Sequence, residues 1–274
     1  MNIPLITKIF AVLTVLYGCG GGGSSSDSAP ASGPVLAPSA VTINCTDQAL
    51  IINGAYRAEN NTWGKGTLNG WSQCIGLGTG TGGALVGRWT WNWLDSGGNV
   101  KAYPEVIFGQ KPGNPSTSSA LPKMISDIGV ATVAYDVSST HTGSGNVAFD
   151  IWLTNIQNPS TFAVPPITHE IMIWLEDYGG MQPGGTLLEQ VTIDGSVYDV
   201  FVGESFGAGW RYIAFRRAPS PLAVGSLNLV AFLSYIRTKN LATGDEYLAS
   251  VEFGNEVISG VGETLLNAYA VSVQ

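Results

Sequence analysis

The chain has 274 residues, enough for one large domain or two small ones, and its net charge of −8 excludes the basic surface that nucleic-acid binding needs. Apolar residues make up 45%, so a sizeable core is within reach, while 36 glycines and only 12% charged residues point to strands joined by turns rather than to helices. A neutral or basic partner fits this balance, and an uncharged polysaccharide does so without strain.

Residues 1–18 run from one Lys into a short apolar stretch, too short to span a membrane and similar to a secretory signal. The run ends in Leu16-Tyr-Gly-Cys19, which resembles a bacterial lipoprotein signal in which Cys19 becomes the lipid-bearing first residue. Residues 19–40, rich in Gly, Ser, Pro and Ala, read as a flexible tether. The resulting expectation is an exported lipoprotein at the outer membrane or cell surface, in contact with the membrane only through Cys19. From about Val41 to Gln274 there is neither a second linker nor a repeat, so residues 41–274 read as one monomeric domain.

Cys45 and Cys74 remain as an even pair in an exported chain, and a disulfide is the default expectation. Only His141 and His169 are left to complete a metal site, so no metal or other cofactor is expected. Gly78-Thr-Gly-Thr-Gly-Gly83 imitates a dinucleotide-binding loop, but no strand–helix–strand unit surrounds it. Trp89, Trp91 and Trp93 share one strand face; the stripe reads as core packing, with only Trp91 counted as a contributor to a cleft.

Period-2 alternation continues through residues 129–137, 148–154, 211–216, 247–253 and 266–273, separated by turn signals at 95–98, 143–145, 179–180 and 194–195. So many short strands in one domain imply a β-sandwich or barrel. In residues 148–154, Phe149, Ile151 and Leu153 take one face and Asp150, Trp152 and Thr154 the other.

The stretch THEIMIWLEDY, residues 168–178, begins like a zinc-protease helix, but position 173 is Ile where the second His would stand. Its β-branched residues favour a strand. One face is then Ile171, Ile173 and Leu175; the other carries Glu170, Met172, Trp174 and Glu176, which suits the floor of a sugar-binding groove. His169 is left as a core-facing or hydrogen-bonding neighbour. Gly203-Glu-Ser-Phe-Gly207 imitates an esterase nucleophile elbow, yet no His follows it in the chain. Residues 226–240 break the alternation: Leu229, Leu233 and Ile236 have helical spacing, Ser226 can act as N-cap, and Arg237 with Lys239 suits the last turn. In residues 251–260, Glu252, Gly254 and Glu256 share a face, and Gly254 leaves room beside Glu256 for a ligand.

Taken together, Glu170-Ile-Met-Ile-Trp174 and Phe253-Gly-Asn-Glu256 resemble the nucleophile and acid/base segments of glycoside hydrolase family 12. Asn61-Thr-Trp63-Gly64, the run from Trp91 to Glu105, the strand around Asp150 and the single helix are similar to the same family, and Cys45 and Cys74 stand at places like its N-terminal disulfide. The resemblance covers residues 42–274. It implies an all-β fold, a two-sheet antiparallel jelly-roll sandwich with a concave substrate cleft and one α-helix. It also implies a retaining endo-β-1,4-glucanase acting on cellulose-type, mixed-linkage or xyloglucan backbones. Glu170 is then the nucleophile, Glu256 the acid/base and Asp150 the residue orienting Glu170. Asn61, Trp63, Trp91, Met172 and Trp174 bind sugar, with Trp63 and Trp174 stacking on it. Retaining enzymes hold the two carboxyls roughly 5–5.5 Å apart. Asn255 and Val257 depart from the family pattern, and the segment before His169 is longer than usual. The competing expectation is a glycan-binding lipoprotein without catalysis.

Overall fold

The computed structural model describes residues 41–94, 97–163, 166–218 and 223–274. The expected signal, Cys19 and the expected tether therefore lie outside the described residues, as does part of the 95–98 turn. In chain order the strands are β1 (Val41–Asn44), β2 (Leu50–Asn53), β3 (Tyr56–Asn61), β4 (Ser72–Thr79), β5 (Leu85–Trp93), β6 (Tyr103–Gly109), β7 (Lys123–Met124) and β8 (Ala131–His141). They continue as β9 (Ser144–Thr154), β10 (Ile167–Tyr178), β11 (Thr186–Ile193), β12 (Ser196–Phe206), β13 (Trp210–Ala218), β14 (Val224–Asn228), β15 (Tyr247–Gly254) and β16 (Val257–Val273), with α1 (Leu229–Thr238) between β14 and β15.

One sheet runs β1-β4-β5-β16-β8-β14, and the other β2-β3-β6-β15-β9-β10-β13-β12-β11. Long β16 joins them, its first residues pairing with β9 before it continues between β5 and β8. The pairing is antiparallel with one departure from the sequence expectation: β10 and β13 run parallel. The link from β10 lets the chain form the β11–β12 hairpin first and return alongside β10 only with β13.

Alternation decides what lies between the sheets. On β10, Ile171, Ile173 and Leu175 enter the main core, while Met172 and Trp174 pack on the opposite face with Tyr212, Met181 and Ala148. Phe149 and Phe253, 4.7 Å apart between ring centres, hold adjacent strands β9 and β15 together in that core. The Trp89-Trp91-Trp93 stripe also points inward, and Trp91 is only 2% exposed. Its assignment to the cleft is corrected: β5 belongs to the other sheet, and its inward face meets the inter-sheet core.

The helix is shorter than its apolar spacing suggested. Residues 224–228 pair with β8, so Ser226 is a strand residue and Asn228 takes the N-cap position. Cys45 and Cys74 form a disulfide between the end of β1 and β4. The GESFG segment ends a strand that turns directly into β13, without the helix a nucleophile elbow requires. Among the described residues no helix is long and apolar enough to cross a membrane.

Candidate active site

The outward face of the larger sheet lines a cleft of about 1120 Å³, with side chains from β3, β6, β9, β10, β13 and β15 and the 179–184 link across one side. Glu170 lies in it on β10, flanked in register by Trp152 on β9 and Tyr212 on β13. The Trp210 indole N–H donates to Glu170 Oε2 at 2.6 Å. Burial pushes the Glu170 carboxyl up to about 8, the Trp210 hydrogen bond opposes this by favouring the anion, and the charge of Glu256 adds to the rise.

Glu256 occupies the link between β15 and β16, not a strand position. Asn146 on β9 holds it at both ends: its Oδ1 accepts the Glu256 backbone N–H at 3.0 Å, and its Nδ2 donates to Glu256 Oε2 at 2.5 Å. Burial lifts Glu256 to about 7 against the pull of that second bond. Both carboxyls therefore stand well above the ordinary glutamate value of 4.5 in one cleft, and the charge of Glu256 acts on Glu170.

The family departures flanking Glu256 have structural reasons. Asn255 is fully buried; its Oδ1 accepts from Trp89 Nε1 (2.7 Å) and Thr264 Oγ1 (2.8 Å), and its Nδ2 donates to the Asn146 carbonyl (2.9 Å). It thus ties the link that carries Glu256 to the strand that clamps it. Val257 is buried and exchanges backbone hydrogen bonds with Ala102 and Lys101. The room imagined at Gly254 is taken by the protein itself: a Cβ there would sit 2.3 Å from the Pro104 carbonyl oxygen. Gly254 is required by the approach of β6, not by a ligand.

Asp150 faces the cleft from β9, opposite Met172 on one side and Glu252 on the other. Burial first, then the charge of Glu170, raises its carboxyl well above the usual range. Its Oδ1 has no hydrogen-bond partner, and the charge of Glu170 acts on its carboxyl.

At the β3 side of the cleft, Glu105 Oε1 accepts from Asn61 Nδ2 (2.9 Å) and from Lys111 Nζ (2.6 Å), and Asn61 Oδ1 accepts the Trp63 backbone N–H (3.2 Å). Lys111 also meets Glu59 at 3.4 Å. Burial pulls the Lys111 amine down, but these carboxylates overcome it and hold the amine above its ordinary value. Trp63 is 65% exposed and offers an open indole face. Trp174 also lines the cleft but is 1% exposed, its N–H directed at Met172 Sδ (3.4 Å), to which Tyr212 also donates (3.3 Å). The stacking role given to Trp174 is corrected: Met172 and Trp174 form a packed floor, and Trp63 is the accessible platform.

His169 lies off the cleft, its Nε2 against the Leu241 carbonyl (2.8 Å) and its Nδ1 against Thr168 Oγ1 (2.9 Å), beside a smaller cavity of about 480 Å³. No cluster of three metal-ligating side chains exists among the described residues. Sequence reasoning missed Trp210, Asn146, Trp152 and Glu105. Trp210 reaches Glu170 through the parallel β10–β13 pairing, for which no local pattern speaks. Asn146 stood four residues before Asp150 with a strand-compatible phase, and the β9 register was the signal available.

The family model described as glycosyl hydrolase family 12 matches residues 54–274. Endoglucanase S of Pectobacterium parmentieri is 32% identical over 236 residues, covering 84% of this chain and 86% of that protein. A xyloglucan-specific endo-beta-1,4-glucanase A of Emericella nidulans is 26% identical, covering 80% and 86%. Among solved structures, a family 12 xyloglucanase from Bacillus licheniformis, in complex with ligand, superposes with a TM-score of 0.76 at 29% identity, over 85% of this chain and all of that one. With the match spanning most of its length and a jelly-roll cleft holding the paired carboxyls, the chain belongs to glycosyl hydrolase family 12.

Proposed function

We propose that Glu170 and Glu256 cleave β-1,4-glucan backbones internally by double displacement, with retention at the anomeric carbon. The observation that carries this reading is the pair itself: two half-buried carboxyls in one open cleft, each raised by desolvation and each held by its own donor, Trp210 for Glu170 and Asn146 for Glu256. In the first step the Glu170 carboxylate attacks the anomeric carbon. The bond to the leaving oxygen breaks, and the Glu256 carboxyl gives that oxygen its proton. Esterification removes the negative charge of Glu170, so the Glu256 pKa falls and its carboxylate becomes a base. It takes a proton from water, the oxygen attacks the anomeric carbon, and the ester bond to Glu170 breaks.

Asp150, its carboxyl raised well above the usual range by burial and then by the Glu170 charge, limits the negative charge that gathers beside the nucleophile. Trp63 stacks on an apolar sugar face, with Asn61 fixing its backbone and Glu105 fixing Asn61. Xyloglucan, mixed-linkage and cellulose-type chains are the substrate class, acted on by a monomer. The Cys45–Cys74 disulfide fits an oxidising compartment. The Leu16-to-Cys19 motif and residues 19–40 support lipid attachment at Cys19 and a tether holding the domain at the outer membrane or cell surface.

Incubation of the protein with xyloglucan, mixed-linkage β-glucan and carboxymethylcellulose tests the reading, with reducing ends and product lengths followed in parallel. Fast loss of chain length with new reducing ends is expected. Tight binding to any of these without new reducing ends would replace it with a glycan-binding role.

A further inference from the structure

Trp152 is the cross-strand partner of Glu170, on the same face of the sheet and in the same cleft. It is 4% exposed, and its indole N–H meets no acceptor of the protein. Two other rings fix it in place. Phe162 packs edge-on at 4.7 Å and Trp210 at 5.2 Å, while Phe162 and Trp210 stand 5.7 Å apart, each pair within 20° of perpendicular. Trp152 therefore has no free rotation with which to seek a partner elsewhere. The indole N–H of Trp210 is already committed to Glu170.

Phe162 is 45% exposed although apolar, and it comes from the segment before His169 that is longer than the family pattern. It forms a cleft wall on the nucleophile's side. A buried donor without an acceptor is costly, and the arrangement makes sense when something bound in the cleft supplies the acceptor. A neutral glucan offers hydroxyl oxygens for that purpose.

We propose that the Trp152 indole N–H is a substrate contact, donating a hydrogen bond to a hydroxyl of the glucose unit held against Glu170, in a pocket walled by Phe162 and Trp210. This rests on the glycosidase reading above. It makes Trp152 a specificity-determining residue: a site with a dedicated donor discriminates against a sugar that lacks the matching hydroxyl.

The test compares the wild type with Trp152→Phe, and with Trp152 replaced by the sulfur isostere 3-benzothienylalanine, which keeps the ring shape and lacks the N–H. Substrates are an aryl β-cellobioside and its congeners with hydrogen in place of the C2, C3 or C6 hydroxyl of the aglycon-linked glucose. On the parent substrate both variants should lose about 10- to 100-fold in kcat/KM. On one deoxy congener the wild type and variants should converge to within about twofold, because the contact is then absent from all of them. An equal loss on every congener would make Trp152 a packing residue only, and no loss at all would also overturn the proposal. Calorimetric binding of cellotetraose is measured alongside. A wild type that binds but does not hydrolyse would defeat the glycosidase reading alone, and the contact would still be read as about tenfold weaker binding by both variants. Unchanged binding in that case would overturn the contact as well.

Discussion

Replacing Trp210 by Phe removes a single hydrogen bond from Glu170, the proposed nucleophile, and keeps most of the ring that packs against Trp152 and Phe162. The indole N–H lies 2.6 Å from Glu170 Oε2 and favours the ionised carboxylate. A hydrogen bond to a charged group contributes about 1.5–3 kcal/mol. At 1.36 kcal/mol per pH unit, its loss moves the Glu170 equilibrium upward by roughly one to two units, the lower end applying if solvent enters the gap. The direction follows from the ionised state being the one stabilised: without the donor, the carboxylate holds its proton to higher pH and the nucleophile is less available. The assay is kcat/KM for an aryl β-cellobioside from pH 4 to 10, which reports the free enzyme's ionisations. Glu170 and Glu256 titrate as an interacting pair, so the limbs belong to the pair. In the wild type both should lie above 4.5, the ordinary glutamate value. In Trp210→Phe the upper limb, to which Glu170 contributes most because its value is the higher of the two, should move up by about one unit or more. A uniform fall in activity with both limbs unmoved would refute the electrostatic role and leave Trp210 as packing.

Trp63→Ala should raise KM about 5- to 10-fold with little change in kcat, because the exposed platform binds ground and transition states alike; kinetics on cello-oligosaccharides checks this. Glu256→Gln should stabilise the fold while abolishing turnover. The folded-state value near 7 lies above the ordinary 4.5, so the stability this group contributes is complete below 4.5 and is lost as pH rises through 7. The amide escapes that loss, so thermal melts at pH 8 should show a gain of about 2–8 °C that vanishes at pH 4. Replacing Cys45 and Cys74 together with Ala opens a loop spanning 29 positions and should cost roughly 3–4 kcal/mol, seen as a lower melting temperature with kcat unchanged.

The strand that carries Glu170 and the link that carries Glu256 were legible because both signals were local. Alternation alone separated Ile171 and Ile173 from Glu170 and Met172, and the segment around Glu256 matched a known pattern. Faces were harder to assign than strands. Trp89, Trp91 and Trp93 were correctly grouped on one side of β5, but only the sheet to which β5 belongs decides that this side is the core. Trp174 shares the cleft face with Glu170, yet Met172 and Tyr212 pack around it and leave Trp63 as the open ring. The helix start was misplaced by a tertiary effect: the pairing of residues 224–228 with β8 outweighs the capping preference of Ser226. The partners of the two carboxyls, Trp210 and Asn146, come from strands brought alongside by long-range pairing, and no short window of sequence contains that information.

The central claim is that Glu170 forms a covalent bond to the sugar. Treating the enzyme with an activated 2-deoxy-2-fluoro-β-cellobioside, followed by intact mass and peptide mapping, tests it directly. One fluorocellobiosyl group on the peptide containing Glu170, absent from Glu170→Ala, is the predicted result. An adduct on any other residue, or α-configured first product from a natural substrate with no adduct formed, would contradict it.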